Sequence, residues 1–514
     1  MAPLSTSSLP LVGRLVPQND SNGLADVSTI FNNFIHGKDS NVTVYGNSAG
    51  PSDVSHAIYP HYPFADADTC WTQATWLNQA IKTLKIETSL PNQGVQKIIT
   101  SVTLEQMSLM FTQDTAYAPA AASNATTASF TIPFNFPVDI TQVAQNITAG
   151  YKGTDFAQLI IPQGPAKTDV NARIIHLTFS NVPFQLVSGR QSTFQQFLAD
   201  VTTSANETFQ LSGNANTEAS TAVGTLALSD IAFAVDTTIA GLQGLNAAPA
   251  VVTNLDVSHG YSDYLLITCD TTLLNPSNLT IGAGDVAFGL VFEGQTVGSA
   301  DIDGLVIVPG SANYSTGVHY SPQGDSATTA GEHMLENYIQ GVISSTTIQG
   351  STDTTGIDSL KHAMSEVKLQ ADIPALHQNL ITGASLSFPT DIVKTGVAEA
   401  SFSLSNPFTA TINLQTVNAS TFYGPVYVGG FDHVDLSSSP MSVPGHENGT
   451  SSKLPFDFNM DPLSIIELLE TAAQAGGVDL GPLTELFQMV IDDPSFHPNV
   501  RFLYTSACGR ANVE

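Results

Sequence analysis

FNNFIHGKDSNVTVYG at 31–46, FQQFLADVTTSANETFQLSG at 194–213, MLENYIQGVISSTTIQG at 334–350 and, more loosely, FQMVIDDPSFHPNVRFLYTS at 487–506 are four versions of one text. Each opens with apolar residues at helical spacing: Phe31, Phe34 and Ile35; Phe194, Phe197 and Leu198; Leu335, Tyr338 and Ile339; Phe487, Val490 and Ile491. A polar break follows, then alternating apolar residues that read as a strand ending on a small residue. Self-similarity on this scale marks tandem structural units, so function belongs to an array before it belongs to any one site.

A second text recurs outside the first. WLNQAIKTLKIETSLPN (76–92), LALSDIAFAVDTTIAGL (226–242) and LKHAMSEVKLQADIPAL (360–376) each carry a short apolar turn and then a strand with one buried and one wet face. A third contains proline: ASFTIPFNFPVDI (128–140), YLLITCDTTLLNPSNLTI (264–281) and ASFSLSNPFTATI (400–412). Proline removes a ladder donor, so Pro137, Pro276 and Pro407 belong at an edge, a bulge or a crossing between sheets. Their spacings of 139 and 131 residues set the length of the unit. Short strands, frequent turns and one helix per unit predict a mainly β protein: three tandem immunoglobulin-like antiparallel β-sandwiches with a helix–strand motif at each junction. The boundaries read as an arm at 1–24, an orphan helix–strand motif and loop at 25–70, and sandwich units at 71–214, 215–351 and 352–514.

The strand–Asn-Pro–strand signature, Asn275-Pro276 and Asn406-Pro407, resembles the late embryogenesis abundant type 2 (water-stress) sandwich. With its closing helix and strand in tandem, the chain is similar to uncharacterised fungal proteins built from repeats of that domain, over nearly all of residues 25–508. The first unit departs from the pattern with Phe136-Pro137. What the resemblance implies is a non-enzymatic protein of a lumen or cell surface, often membrane-anchored in relatives, with no catalytic residues to carry over.

Composition bounds the partners. The chain has 514 residues, with 15 Lys and Arg against 45 Asp and Glu and a formal charge of −30. Such a surface repels phosphate backbones, which argues against nucleic acid. No apolar run reaches the roughly 18–20 residues of a membrane-spanning helix. The opening, MAPLSTSSLPLVGRLVP, is a poor secretory signal, yet Asn19, Asn41, Asn124, Asn146, Asn206, Asn278, Asn313, Asn418 and Asn448 all head Asn-x-Ser/Thr sequons. A missing leader or an upstream anchor would reconcile the two. Asn41, Asn146 and Asn278 are the expected first sites of glycosylation, on exposed strands or turns. Cys70, Cys269 and Cys508 are too few and too scattered for a disulfide framework or a metal site. Cys269, in the apolar strand YLLITCD, reads as a buried small hydrophobe, and a bridge between subunits through Cys70 and Cys508 is one pairing open to the other two.

Motifs that carry chemistry fail on context. Gly46-Asn47-Ser48-Ala49-Gly50 after a strand has the form of a nucleophile elbow, but Pro51 follows where a helix is required and the other copies of the repeat lack Gly-x-Ser-x-Gly. A serine esterase through Ser48 is therefore a remote alternative. His56, His61, Asp66 and Asp68 lack the spacing of a metal cluster, and Asp301 and Asp303 before Gly304 lack the rest of a calcium loop. The helices at 464–474 and 483–491 carry Glu467, Glu470 and Glu485 where a membrane-surface helix carries Lys and Arg, so they are expected to pack on the protein. The reading that emerges is a non-enzymatic structural or interaction glycoprotein, cofactor-free, of the cell surface, cell wall or a vacuole-like lumen. It acts through a protein partner or self-association, including head-to-tail assembly into filaments. The alternative is a lipid- or carbohydrate-binding module, which needs an unfilled interior that strand alternation does not reveal.

Overall fold

The computed structural model describes residues 16–46, 75–132 and 136–475. The fold is mainly β, with 55% strand and 18% helix. Among the described residues, those up to Leu242 together with Ser277–Gly282 form one compact unit; Gln243–Pro276 and those from Ala283 onward form a second.

The first unit begins with α1 (Ser21–Ile35), β1 (Ser40–Tyr45), α2 (Thr75–Lys82) and β2 (Lys85–Leu90). β1 and β2 pair with each other antiparallel, from Ser40 opposite Leu90 to Tyr45 opposite Lys85. Seven long strands follow: β3 (Ile99–Met110), β4 (Ala120–Phe130), β5 (Asp139–Tyr151), β6 (Thr154–Asp169), β7 (Ile174–Leu186) and, after α3 (Gln191–Thr203), β8 (Asn206–Thr221) and β9 (Gly224–Ala240). Their order in space is β3-β4-β7-β6-β5-β8-β9. β9 comes back alongside β3, where the Thr237 hydroxyl donates to the Val102 carbonyl at 2.8 Å, so the sheet curls into a ring. α3 plugs it with Phe194, Phe197, Leu198 and Val201, all buried. The plug is also tied at its polar side: the Tyr151 hydroxyl lies 2.6 Å from Asp200 and 2.7 Å from Glu207, and Lys152 donates to Asp200 at 2.7 Å. Burial and the two carboxylates push the Tyr151 phenol well above its ordinary range.

From Ala250 on the same order of elements returns, in the second unit apart from the first residues of β12: β10 (Ala250–Gly260), β11 (Leu265–Asn275), β12 (Leu279–Phe292), β13 (Gln295–Ile307), β14 (Gly310–Tyr320), α4 (Asp325–Gln340), β15 (Ser344–Gln349), α5 (Lys361–Ser365) and β16 (Lys368–Ile373). The spatial order is β10-β11-β14-β13-β12-β15-β16, and β16 returns to β10 in parallel at Ala250–Ala371 and Val251–Asp372. Both rings therefore run first, second, fifth, fourth, third, sixth, seventh in chain order. Each turns from its third to its fourth strand through a two-residue hairpin with both residues at positive φ, Lys152-Gly153 and Glu293-Gly294.

Beyond them lie β17 (Ile381–Ser387), α6 (Ile392–Thr395), β18 (Val397–Ser405), β19 (Ile412–Leu414), β20 (Thr416–Tyr423), β21 (Val426–Asp435), β22 (Met441–Val443), β23 (Asn448–Thr450), β24 (Leu454–Phe458) and α7 (Pro462–Ala475). The main sheet here runs β17-β18-β24-β21-β20, again first, second, fifth, fourth, third. β23 pairs with β18, and β19 and β22 pair separately. A core of Phe402, Val428, Phe431 and Phe456 fills it.

Two expectations change. Two rings of seven strands stand where the first two immunoglobulin-like sandwiches were expected, because inward–outward alternation is the same in both and only the return of the last strand to the side of the first separates them. The boundaries also move. Position 214/215 falls inside β8 and 351/352 falls between β15 and β16, so the strands at 226–242 and 360–376 close a ring where they were expected to open a sandwich. By this register α1, β1 and β2 match the helix, sixth strand and seventh strand of a ring.

That orphan segment is covered by its own chain. Phe31 packs on Val223, just before β9, on Leu226 of β9, and edge-on against Phe136, at 5.8 Å between ring centroids. The Asn32 side chain donates to the Ala227 carbonyl at 3.0 Å and accepts from the Ser229 amide at 2.8 Å, while the Ser28 hydroxyl accepts from the Ala227 amide at 3.2 Å. These polar side chains satisfy backbone groups that an open strand edge offers to other molecules.

Candidate functional site

The two rings share a topology and differ in what fills them. In the first, Phe156 sits among Phe184, Phe194 and Phe197 with ring centroids 4.8–6.0 Å apart, and only about 70 Å³ stays open. In the second, a cavity of about 1080 Å³ opens between the strands, α4 and residues of β19, β20 and β21. Counting from the equivalent hairpins explains the difference. Leu159 opposite Phe184 in the first ring corresponds to Ala300 opposite Val318 in the second. Phe156 likewise corresponds to Val297.

The helices diverge in the same sense. α3 buries its whole apolar face, whereas α4 buries only Ala327, Ala330, Gly331 and Met334 and leaves Leu335, Tyr338 and Ile339 along the cavity. Tyr338 stacks on Phe408 at 6.3 Å, and the Leu376 amide donates to the Tyr338 carbonyl at 2.8 Å, which fixes the end of α4 at the mouth.

The cavity walls are apolar and mainly aliphatic, with Val252, Val257, Ile267, Leu273 and Leu305 beside Phe288. Inside, polarity comes from Thr316, whose hydroxyl donates to Thr271 at 2.9 Å, and from Cys269, 3.9 Å from the same hydroxyl. Burial pushes the Cys269 thiol up, so it packs as the small hydrophobe expected and is a poor nucleophile. At the mouth stand Glu332 and Glu336 of α4, with Gln415, Asn418 and His433. His433 is held by Asp432 at 2.6 Å and lies 3.4 Å from the Asn418 amide.

Magnitude decides what such a space means. A space of about 1080 Å³ that opens to solvent is filled by water or by a ligand. Water there gains few hydrogen bonds from the apolar part of the lining, so an apolar ligand that displaces it is favoured. The volume matches the upper end of the ~300–1,000 Å³ typical of ligand pockets.

The residues singled out in the sequence are not gathered at this cavity, apart from Cys269 and Asn418. Asn19, Asn41, Asn124, Asn146, Asn206, Asn313 and Asn448 are exposed. Asn278 is not on an exposed turn: it is half-buried, its amide donates to the Leu104 carbonyl at 3.4 Å, and its own carbonyl oxygen is enclosed. Asn418 is half-buried against His433. Asp301 pairs with His319 at 2.9 Å, and among the described residues no group of three or more His, Cys, Asp or Glu is arranged to hold a metal. Ser48, Cys70, Cys508 and the His56–Asp68 group lie outside the described residues. The hollow ring itself escaped sequence reading, although the signal was present in small residues at positions where the first ring carries Phe.

Among known families, the profile described as "Protein of unknown function (DUF3712)" matches residues 154–290. No curated protein matches. Among solved structures, the chain is similar at 14% identity and a TM-score of 0.15 to the exo-β-D-glucosaminidase CsxA, studied with a glucosamine-configured castanospermine and an amino-australine analogue; the match covers 53% of this chain and 26% of that one. The chain thus spans about a quarter of that enzyme. A putative membrane anchored protein from Corynebacterium diphtheriae matches at 12% identity and a TM-score of 0.13, over 73% of this chain and 85% of that one.

Proposed function

We propose that this protein is a binding module that holds an apolar or amphiphilic small molecule inside its second ring, and that it is not an enzyme. The observation that carries this is the contrast between two rings of identical strand order, one packed with phenylalanine and one left open with aliphatic walls. The carbohydrate alternative has less support, since a sugar needs a dense set of polar partners that these walls lack. The tandem domain architecture of late embryogenesis abundant type 2 type, and a lumenal or cell-surface setting with N-linked glycans, remain part of the proposal; seven exposed sequons are in keeping with it.

The test is a titration of the purified chain, stripped of bound lipid, with N-phenyl-1-naphthylamine, a neutral dye that brightens in apolar surroundings. Saturable binding is expected, and Val318→Phe, which installs the side chain found at the matching position of the first ring, should weaken it at least about tenfold without loss of fold. Undiminished binding in that variant, or none in the wild type, would sink the proposal.

A further inference from the structure

We infer that the second ring selects amphiphiles with a cationic head, of the long-chain amine class, over fatty acids and other anionic lipids; this rests on the cavity being a ligand site. The cavity fixes the tail and the charges around it fix the head. Among the described residues no Lys or Arg lines the cavity, so a carboxylate or phosphate meets no fixed positive charge there, only the neutral donors of Gln415, Asn418 and the threonines and the imidazole of His433. The sequence gives the reason: between Arg190 and Lys361 there is not one Lys or Arg, while 17 Asp and Glu occur. Around the mouth the polarity is acidic. Glu332 and Glu336 stand four residues apart on α4, exposed and without an ion pair among the described residues. His433, which also lines the cavity, is paired with Asp432.

An ammonium group placed there stays hydrated, as snorkelling heads do, while its chain enters the aliphatic interior. Each Glu contributes a modest attraction at such an exposed site, so the preference is one of several-fold and is sensitive to salt. An anionic head meets repulsion from the same groups and from the net charge of the whole chain.

The experiment displaces N-phenyl-1-naphthylamine from the full chain with dodecylamine, dodecanol and dodecanoate at neutral pH and low salt. The amine should bind about fivefold or more tighter than the alcohol, and the alcohol tighter than the carboxylate. Glu332→Gln with Glu336→Gln should bring the amine to the level of the alcohol and leave the alcohol unchanged, and added salt should do the same. If all three bind alike, the charge selectivity is refuted and the apolar site stands. If none displaces the dye although the dye binds, the cavity excludes linear amphiphiles and the inference fails. If neither dye nor amphiphile binds, both readings fall together.

Discussion

Asn406 shows what the Asn-Pro signature does. Fully buried after β18, its side-chain amide donates to the carbonyls of Ala410 at 2.7 Å and Val443 at 3.0 Å, and its carbonyl accepts from the Phe408 amide at 3.0 Å. The chain leaves one strand for the next here, Pro407 supplies no amide, and the asparagine takes the place of the missing ladder. Asn275 is buried at the equivalent crossing. Asn406→Ala should orphan these backbone groups and cost about 1–3 kcal/mol, read as a lower denaturant midpoint, with Asn406→Leu no better. A midpoint unchanged in both variants would mean that the crossing is held by other contacts. The position of the proline was legible in the sequence. The role of the asparagine was not, because its side-chain partners lie up to 38 residues away and only the folded crossing brings them together.

At the scale of elements, the helices and strands of the repeat were legible and their partners were not. The motif at 194–213 became α3 and the start of β8, and the motif at 31–46 became the end of α1 with β1, as the change of period from helical to alternating requires. Alternation says that a strand has a buried face, but it is silent on which strand lies beside it, so it does not tell that β9 and β16 close a ring instead of opening the next unit. The partner of α1 is a case in point. This helix packs within its own chain, and Asn32 and Ser28 occupy the backbone edge of β9 at Ala227–Ser229. Asn32→Ala with Ser28→Ala should uncover that edge and raise self-association with concentration in light scattering, while far-ultraviolet circular dichroism stays native. If the double variant scatters like the wild type, the edge is protected by Phe31 packing alone.

For the whole molecule, two copies of one topology have taken different fillings, and this is the property that a sequence hides most readily. A Val at 318 and a Phe at 184 satisfy the same inward position and the same hydrophobic pattern, so pattern fixes the ring and volume fixes whether it is solid. The consequence is an asymmetry in how the two units respond to a ligand. An occupant of the second ring binds only its folded form, so at a free concentration about 100-fold above Kd it should stabilise that unit by about 2.7 kcal/mol. The first unit, whose interior leaves about 70 Å³, offers it nothing. Hydrogen exchange with and without dodecylamine should therefore slow in β10–β16, where backbone amides border the occupied space, and stay unchanged in β3–β9. Equal protection of both units, or protection confined to the first, would place the binding site elsewhere.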